Sequence, residues 1–122
     1  MRLTHYLTFA AMACATPVDS DRKSLAVTGG YAYSYHFSSS KGSNPTFLLL
    51  HGFPSSSYDW RKQIPLLRNA GYGIIAPDLL GYGETSKPAA VAEYALSKIS
   101  GHVAEILKHE GVTSVIGVGH DM

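Results

Sequence analysis

Cysteine is almost missing from this sequence: Cys14 is the only one in 122 residues. A disulfide within the chain is therefore excluded, and with Cys14 inside an apolar N-terminal stretch neither a thiolate nucleophile nor a cysteine-based zinc site is available. Charge is scarce as well, at 16% of residues with a formal net charge of +1, and the lysines and arginines are scattered along the chain. Neither a nucleic acid nor an anionic membrane is an expected partner of such a surface. The six histidines lack metal-ligand spacing, since His102 and His109 stand two helical turns apart and no H-E-x-x-H occurs. No metal is expected. A dinucleotide fingerprint is incomplete too: Gly117 and Gly119 have its first spacing, but Met122 holds the third glycine position. No nucleotide cofactor is expected.

Long apolar runs are also lacking. The one candidate, Leu3 to Met12 in "MRLTHYLTFAAMACA", is too short to span a bilayer as a helix. One arginine, an apolar stretch and then Ala13-Cys14-Ala15 form a short secretory leader pattern over residues 1–15, which implies a secreted protein. The alternative is an ordinary N-terminal segment of a cytoplasmic protein. Residues 16–122 then form one unit, whose 45% hydrophobic content for the whole chain suits an ordinary globular core.

After the polar stretch "TPVDSDRKS", "LAVT" and "YAYSYHF" flank Gly29-Gly30 and read as a hairpin. Tyr31, Tyr33, Tyr35 and Phe37 alternate as one face of a half-exposed strand. The tract "SSSKGSNP" is a connecting turn by composition. Then the pattern changes: "TFLLLH", "GIIAP" and "SVIGVG" are continuously apolar, which suits strands buried on both faces of a parallel sheet. Between them the periodicity predicts helices from about Tyr58 to Ala70 and from about Val91 to Glu110. Trp60, Ile64 and Leu67 make the buried stripe of the first, with Pro65 expected to leave a loose first turn and a regular helix after it. Ile99, Val103, Ile106 and Leu107 make the stripe of the second, and Gly71 and Gly111 are the stops. Strand, helix, strand, helix, strand predicts an α/β fold with a doubly wound sheet.

Three loops follow the C-terminal ends of the apolar strands, where open α/β sheets place ligands. They are "HGFPSSSYDW", "DLLGYGETSKP" and "GHDM". In the first, Gly52 allows close backbone approach and Pro54 fixes the chain direction, while His51 and His120 are expected to orient loops rather than transfer protons. In the second, Asp78 is expected to accept backbone N–H groups, with Gly81 and Gly83 permitting a tight excursion. The third raises a question of its own. An apolar strand delivers Asp121 to its tip, and aspartate is a poor strand residue whose burial needs compensation.

The run "LLLHGFPSSSYDWRKQIPLLRNAGYGIIAPDLLGYGETSKP", followed after a helix by "VIGVGHD", resembles the N-terminal half of an epoxide hydrolase of the α/β-hydrolase superfamily. The resemblance covers about Leu25 to Met122. It implies the N-terminal part of an α/β-hydrolase fold, in which a hairpin precedes parallel strands with crossover helices and the sequence stops at the nucleophile elbow. It implies Asp121 as the nucleophile, where related esterases carry Ser in G-x-S-x-G. Serine opening an epoxide would form an ether that water cannot readily cleave, whereas a carboxylate forms a hydrolysable ester. The implied oxyanion donors are the backbone N–H groups of Phe53 and Met122, shaped by His51, Gly52, Pro54 and His120, with a cis bond before Pro54. Substrate and partner would be a small epoxide or related electrophile plus water.

Met122 departs from the tryptophan that often follows the nucleophile in epoxide hydrolases and haloalkane dehalogenases. With Phe53 in place of an asparagine in the oxyanion loop, halide release falls behind epoxide opening. Fluoroacetate dehalogenase-like hydrolysis, a serine-type esterase and a non-catalytic ligand-binding α/β-hydrolase are the alternatives, Asp121 opposing the esterase. The lid tyrosines, later acid and catalytic histidine of the family have no counterpart among these residues. The 122-residue polypeptide is therefore expected to be inactive and aggregation-prone alone, with its last strand an exposed parallel edge.

Overall fold

The computed structural model of the protein describes residues 21–121. The leader pattern at residues 1–15, Cys14 within it, and Met122 lie outside the described residues. Five strands form one sheet: β1 (Arg22–Val27), β2 (Tyr31–Ser38), β3 (Thr46–Leu50), β4 (Gly73–Pro77) and β5 (Ile116–Gly119), in the order β1-β2-β4-β3-β5. β2 pairs antiparallel with β1 and β4, while β3 pairs parallel with β4 and β5. Helix α1 (Gln63–Asn69) connects β3 to β4, and α2 (Leu96–His109) connects β4 to β5.

Consecutive strand residues point to opposite faces, and the apolar runs feed two core layers accordingly. Leu48 and Ile75 join Tyr33, Tyr35, Val103 and Ile106 under α2, whereas Leu49, Ile74 and Ala76 join Ile64 under α1. The helices thus cover opposite faces, as a doubly wound sheet requires. Both end in the same way. Gly71 and Gly111 take φ of +88° and +71°, and their N–H groups and those of Tyr72 and Val112 return to carbonyls of the last turn. This is the Schellman arrangement, which glycine enters without a Cβ penalty.

Pro65 does not loosen α1. The helix begins two residues before it, after a separate 3₁₀ turn at Ser57–Trp60. Pro65 therefore lies in the first turn, where an N–H has no intrahelical acceptor to lose. The second predicted helix is also divided, into a 3₁₀ turn at Val91–Tyr94 and α2, with Ala95 extended at ψ 134°. Tyr94 explains the break: its hydroxyl donates to the Pro88 carbonyl at 2.7 Å. Its ring fills the space beside Gly81, where an added Cβ would meet it at 2.7 Å.

Two strands differ from expectation. β2 is buried on both faces over its middle, because Ser34 and His36 are covered as fully as Tyr33 and Tyr35. Arg22 lies across that second face, donating to Ser34 Oγ at 2.7 Å and contacting His36 Nε2 at 3.1 Å. β5, predicted to be buried on both faces, is instead largely exposed, with Ile116 45% accessible. Among the described residues it pairs with β3 alone, at the edge position expected from the sequence.

The tyrosine face carries a measurable consequence. Burial raises the phenols of Tyr33 and Tyr35 from the ordinary 10.0 to about 12, with the Glu110 carboxylate adding to the effect at Tyr35. The folded state therefore holds protons that the unfolded chain releases above pH 10.0. Stability is complete below that value and falls as pH rises towards about 12. Urea midpoints measured from pH 8 upwards are expected to drop through this window. Tyr33→Phe should shallow the drop while costing about 1 kcal/mol at pH 8 through the lost bond to His102 Nδ1. A midpoint indifferent to alkali would contradict the assignment.

Candidate active site

The loop leaving β3 is held from below by a buried imidazole. His51 is 1% exposed, its Nε2 accepts the Leu79 N–H at 2.9 Å, and its Nδ1 lies 2.9 Å from the Gly52 carbonyl oxygen. Because Nε2 receives a hydrogen bond, the ring proton belongs on Nδ1 and is donated to Gly52. Both nitrogens are thus engaged with backbone. The Tyr82 ring packs edge-on against His51 and Phe53, at 5.3 and 6.3 Å between centroids. The Phe53-Pro54 bond is cis, as the resemblance implies. Phe53 itself projects outward, 72% exposed.

The turn after β5 stands against this loop. The His120 N–H donates to the Leu50 carbonyl at 3.1 Å, extending the β3 pairing by one residue. Asp121 then turns with φ +56°, a unique positive value among the described non-glycine residues. Such a conformation costs about 1–3 kcal/mol, and aspartate is among the few L residues that adopt it with some ease. Gly52 makes the fit possible: a Cβ there would sit 2.5 Å from Asp121 Cβ and 2.6 Å from the His120 carbonyl oxygen. Asp121 is exposed among the described residues. His120 lines a cleft of 310 Å³ with Asp59, Trp60 and Gln63.

Asp78 begins the loop after β4 and is 1% exposed. Oδ1 accepts the Ser57 N–H at 2.8 Å, and Oδ2 accepts the Glu84 N–H and Arg22 Nη1, each at 3.0 Å. Burial alone would raise its pKa, but the bonds from Ser57 and Glu84 and the Arg22 charge outweigh it and hold the group below the ordinary carboxylate range. Gly83 closes the loop over the carboxylate, at φ +54°, with room for no Cβ: one would lie 2.2 Å from Oδ2. The backbone acceptor role read from sequence is present. Arg22, Ser57 and Tyr82 were not read as site residues. Arg22 lies in a polar stretch that carries no local signal of its distant partners.

The structure therefore brings the His51–Pro54 loop and the His120–Asp121 turn into contact and sets the Asp78 loop beneath them. Met122, the other implied donor, is outside the described residues. Among the described residues no group of three or more histidine, cysteine, aspartate or glutamate side chains could hold a metal ion.

A mixed sheet whose β4, β3 and β5 run parallel, a strand ending in a left-handed turn and a glycine loop pressed against that turn are the arrangement of an α/β hydrolase. The sequence model of the alpha/beta hydrolase fold family matches residues 45–122, and the chain belongs to that family. Within it, the similarity is to epoxide hydrolases. Epoxide hydrolase A of Mycobacterium tuberculosis is 42% identical over 77 residues, covering 63% of this chain and 24% of that protein. Epoxide hydrolase 3 of Siraitia grosvenorii is 46% identical over 82 residues, covering 67% and 26%. The crystal structure of epoxide hydrolase A from Mycobacterium thermoresistibile matches with a TM-score of 0.72 at 34% identity, over 82% of this chain and 31% of that one. The chain spans about a quarter of the length of these curated relatives.

Proposed function

We propose that the whole protein to which this chain contributes the nucleophile hydrolyses epoxides through an ester on Asp121. The observation that carries the reading is the left-handed turn at Asp121, packed on Gly52 of the His51–Pro54 loop. A carboxylate presented at the end of a strand, against the Gly52 loop, suits attack on a strained electrophile. One Asp121 oxygen bonds to an epoxide carbon as the ring C–O bond breaks, and the freed alkoxide takes a proton from a solvent water to become a hydroxyl. A water then attacks the ester carbonyl carbon and gives up a proton to solvent, so that the proton taken up in the first step is returned in the second. The negative charge that develops is held by the N–H groups of Phe53 and Met122, and collapse releases the diol and restores the carboxylate. The leader pattern of residues 1–15 supports export.

A single turnover in oxygen-18 water tests this route. The first diol should leave with no solvent label, while mass spectrometry of the peptide containing Asp121 finds one labelled carboxylate oxygen. Label entering the diol directly, with Asp121 unlabelled, would overturn the reading.

A further inference from the structure

We infer that Asp78 is a positioning residue for ester hydrolysis, acting as a rigid strut between the Gly-rich loop and the loop that presents the Phe53 N–H. The inference rests on the reaction proposed above. Its basis is an asymmetry in how the two loops are held. The Asp78 loop is anchored to the sheet at both ends: the Asp78 and Ser86 N–H groups donate to the Ser34 and Ala32 carbonyls, each at 2.9 Å. Thr85 Oγ1 receives the Ser34 N–H at 2.9 Å and donates to the Asp78 carbonyl at 2.7 Å. The loop carrying Phe53 is less tied. Beyond Pro54 it is drawn to that base by the Ser57 N–H on Asp78 Oδ1, at 2.8 Å.

The carboxylate is built for this. Its second oxygen is occupied by the Glu84 N–H and Arg22, and the Gly83 backbone lies so close that a Cβ there would meet that oxygen at 2.2 Å. Oδ1 is therefore fixed, and Ser57 with it. Phe53 is 72% exposed with the Tyr82 ring edge-on beside it, so the direction of its N–H depends largely on how the loop is held at its two ends. His51 sets one end through Leu79. Asp78 sets the other. An oxyanion donor matters only when charge develops on the ester carbonyl, so a loosened strut should slow the second chemical step far more than the first.

The test uses the whole protein with styrene oxide under rapid quench, following the mass of the alkylated chain. Asp78→Asn leaves a single acceptor oxygen, which cannot serve both the Ser57 N–H and the Glu84 N–H with Arg22, so the strut is released at one end or the other. Ester hydrolysis is expected to slow on the order of 10²-fold, with ester formation nearly unchanged, so that the ester accumulates and KM falls together with kcat. Ser57→Pro cuts the same strut from its other end, at the first residue of a 3₁₀ turn where proline is tolerated. It should give the same split, and it carries the test if Asp78→Asn fails to fold. Hydrolysis at the wild-type rate, or equal slowing of both steps, would overturn the inference alone. An absence of ester on wild-type Asp121 would remove the reaction reading and this inference with it.

Discussion

Asp121→Asn in the whole protein is expected to lose epoxide turnover by at least about 10⁴-fold, with little change in fold or stability. Asparagine adopts the left-handed region as readily as aspartate, so the turn at φ +56° survives the exchange. What disappears is the anionic oxygen. An amide is too weak a nucleophile to open an epoxide, and no ester forms for water to cleave. Diol production by the purified variant, measured beside its urea midpoint, checks both halves of the statement. Retention of even about 1% of turnover would assign the chemistry to another group.

Gly52→Ala should be nearly as damaging, for a steric reason. The added methyl would lie 2.5 Å from Asp121 Cβ, 2.6 Å from the His120 carbonyl oxygen and 2.9 Å from that of Asp121. These are backbone or near-backbone atoms, which cannot swing aside as the end of a long side chain does. Either the turn or the loop must move, at a cost of about 3 kcal/mol for overpacking of this kind. Because Phe53 and Asp121 ride on those two segments, the same displacement misaligns nucleophile and oxyanion donor. A further loss of roughly 10²-fold in kcat is expected. Equilibrium unfolding and steady-state kinetics on one preparation read the two effects separately. A variant with native stability and native rate would show that the loops do not meet as described.

Local chemistry made much of this molecule legible beforehand. Gly71 and Gly111 stop their helices because the left-handed residue and the carbonyls it satisfies lie within one turn of chain. The "TFLLL" and "GIIAP" runs state their own two-sided burial. Asp121 was conspicuous for the same reason, an acid where a strand should close. Other features needed partners far along the chain. Burial of Ser34 and His36 follows from Arg22 and the Asp78 loop, and the burial of His102 in a helix stripe follows from the Tyr33 hydroxyl, 69 residues away in sequence. Pro65 shows the limit within a single helix: its effect depends on where the helix starts, and that was decided by the Ser57–Trp60 turn.

By itself, then, the amino-acid order determined the strands and helices, their stops, the family and the residue types gathered at one sheet edge. Those properties arise from interactions spanning a few residues, and they repeat with a period that can be read. Tertiary structure alone decided that Gly52 touches Asp121 and that Asp78 holds Ser57, Glu84 and Arg22 together. Contact, hydrogen-bond partnership and exposure depend on which distant segments are brought side by side, and no local pattern encodes a distance across the sheet.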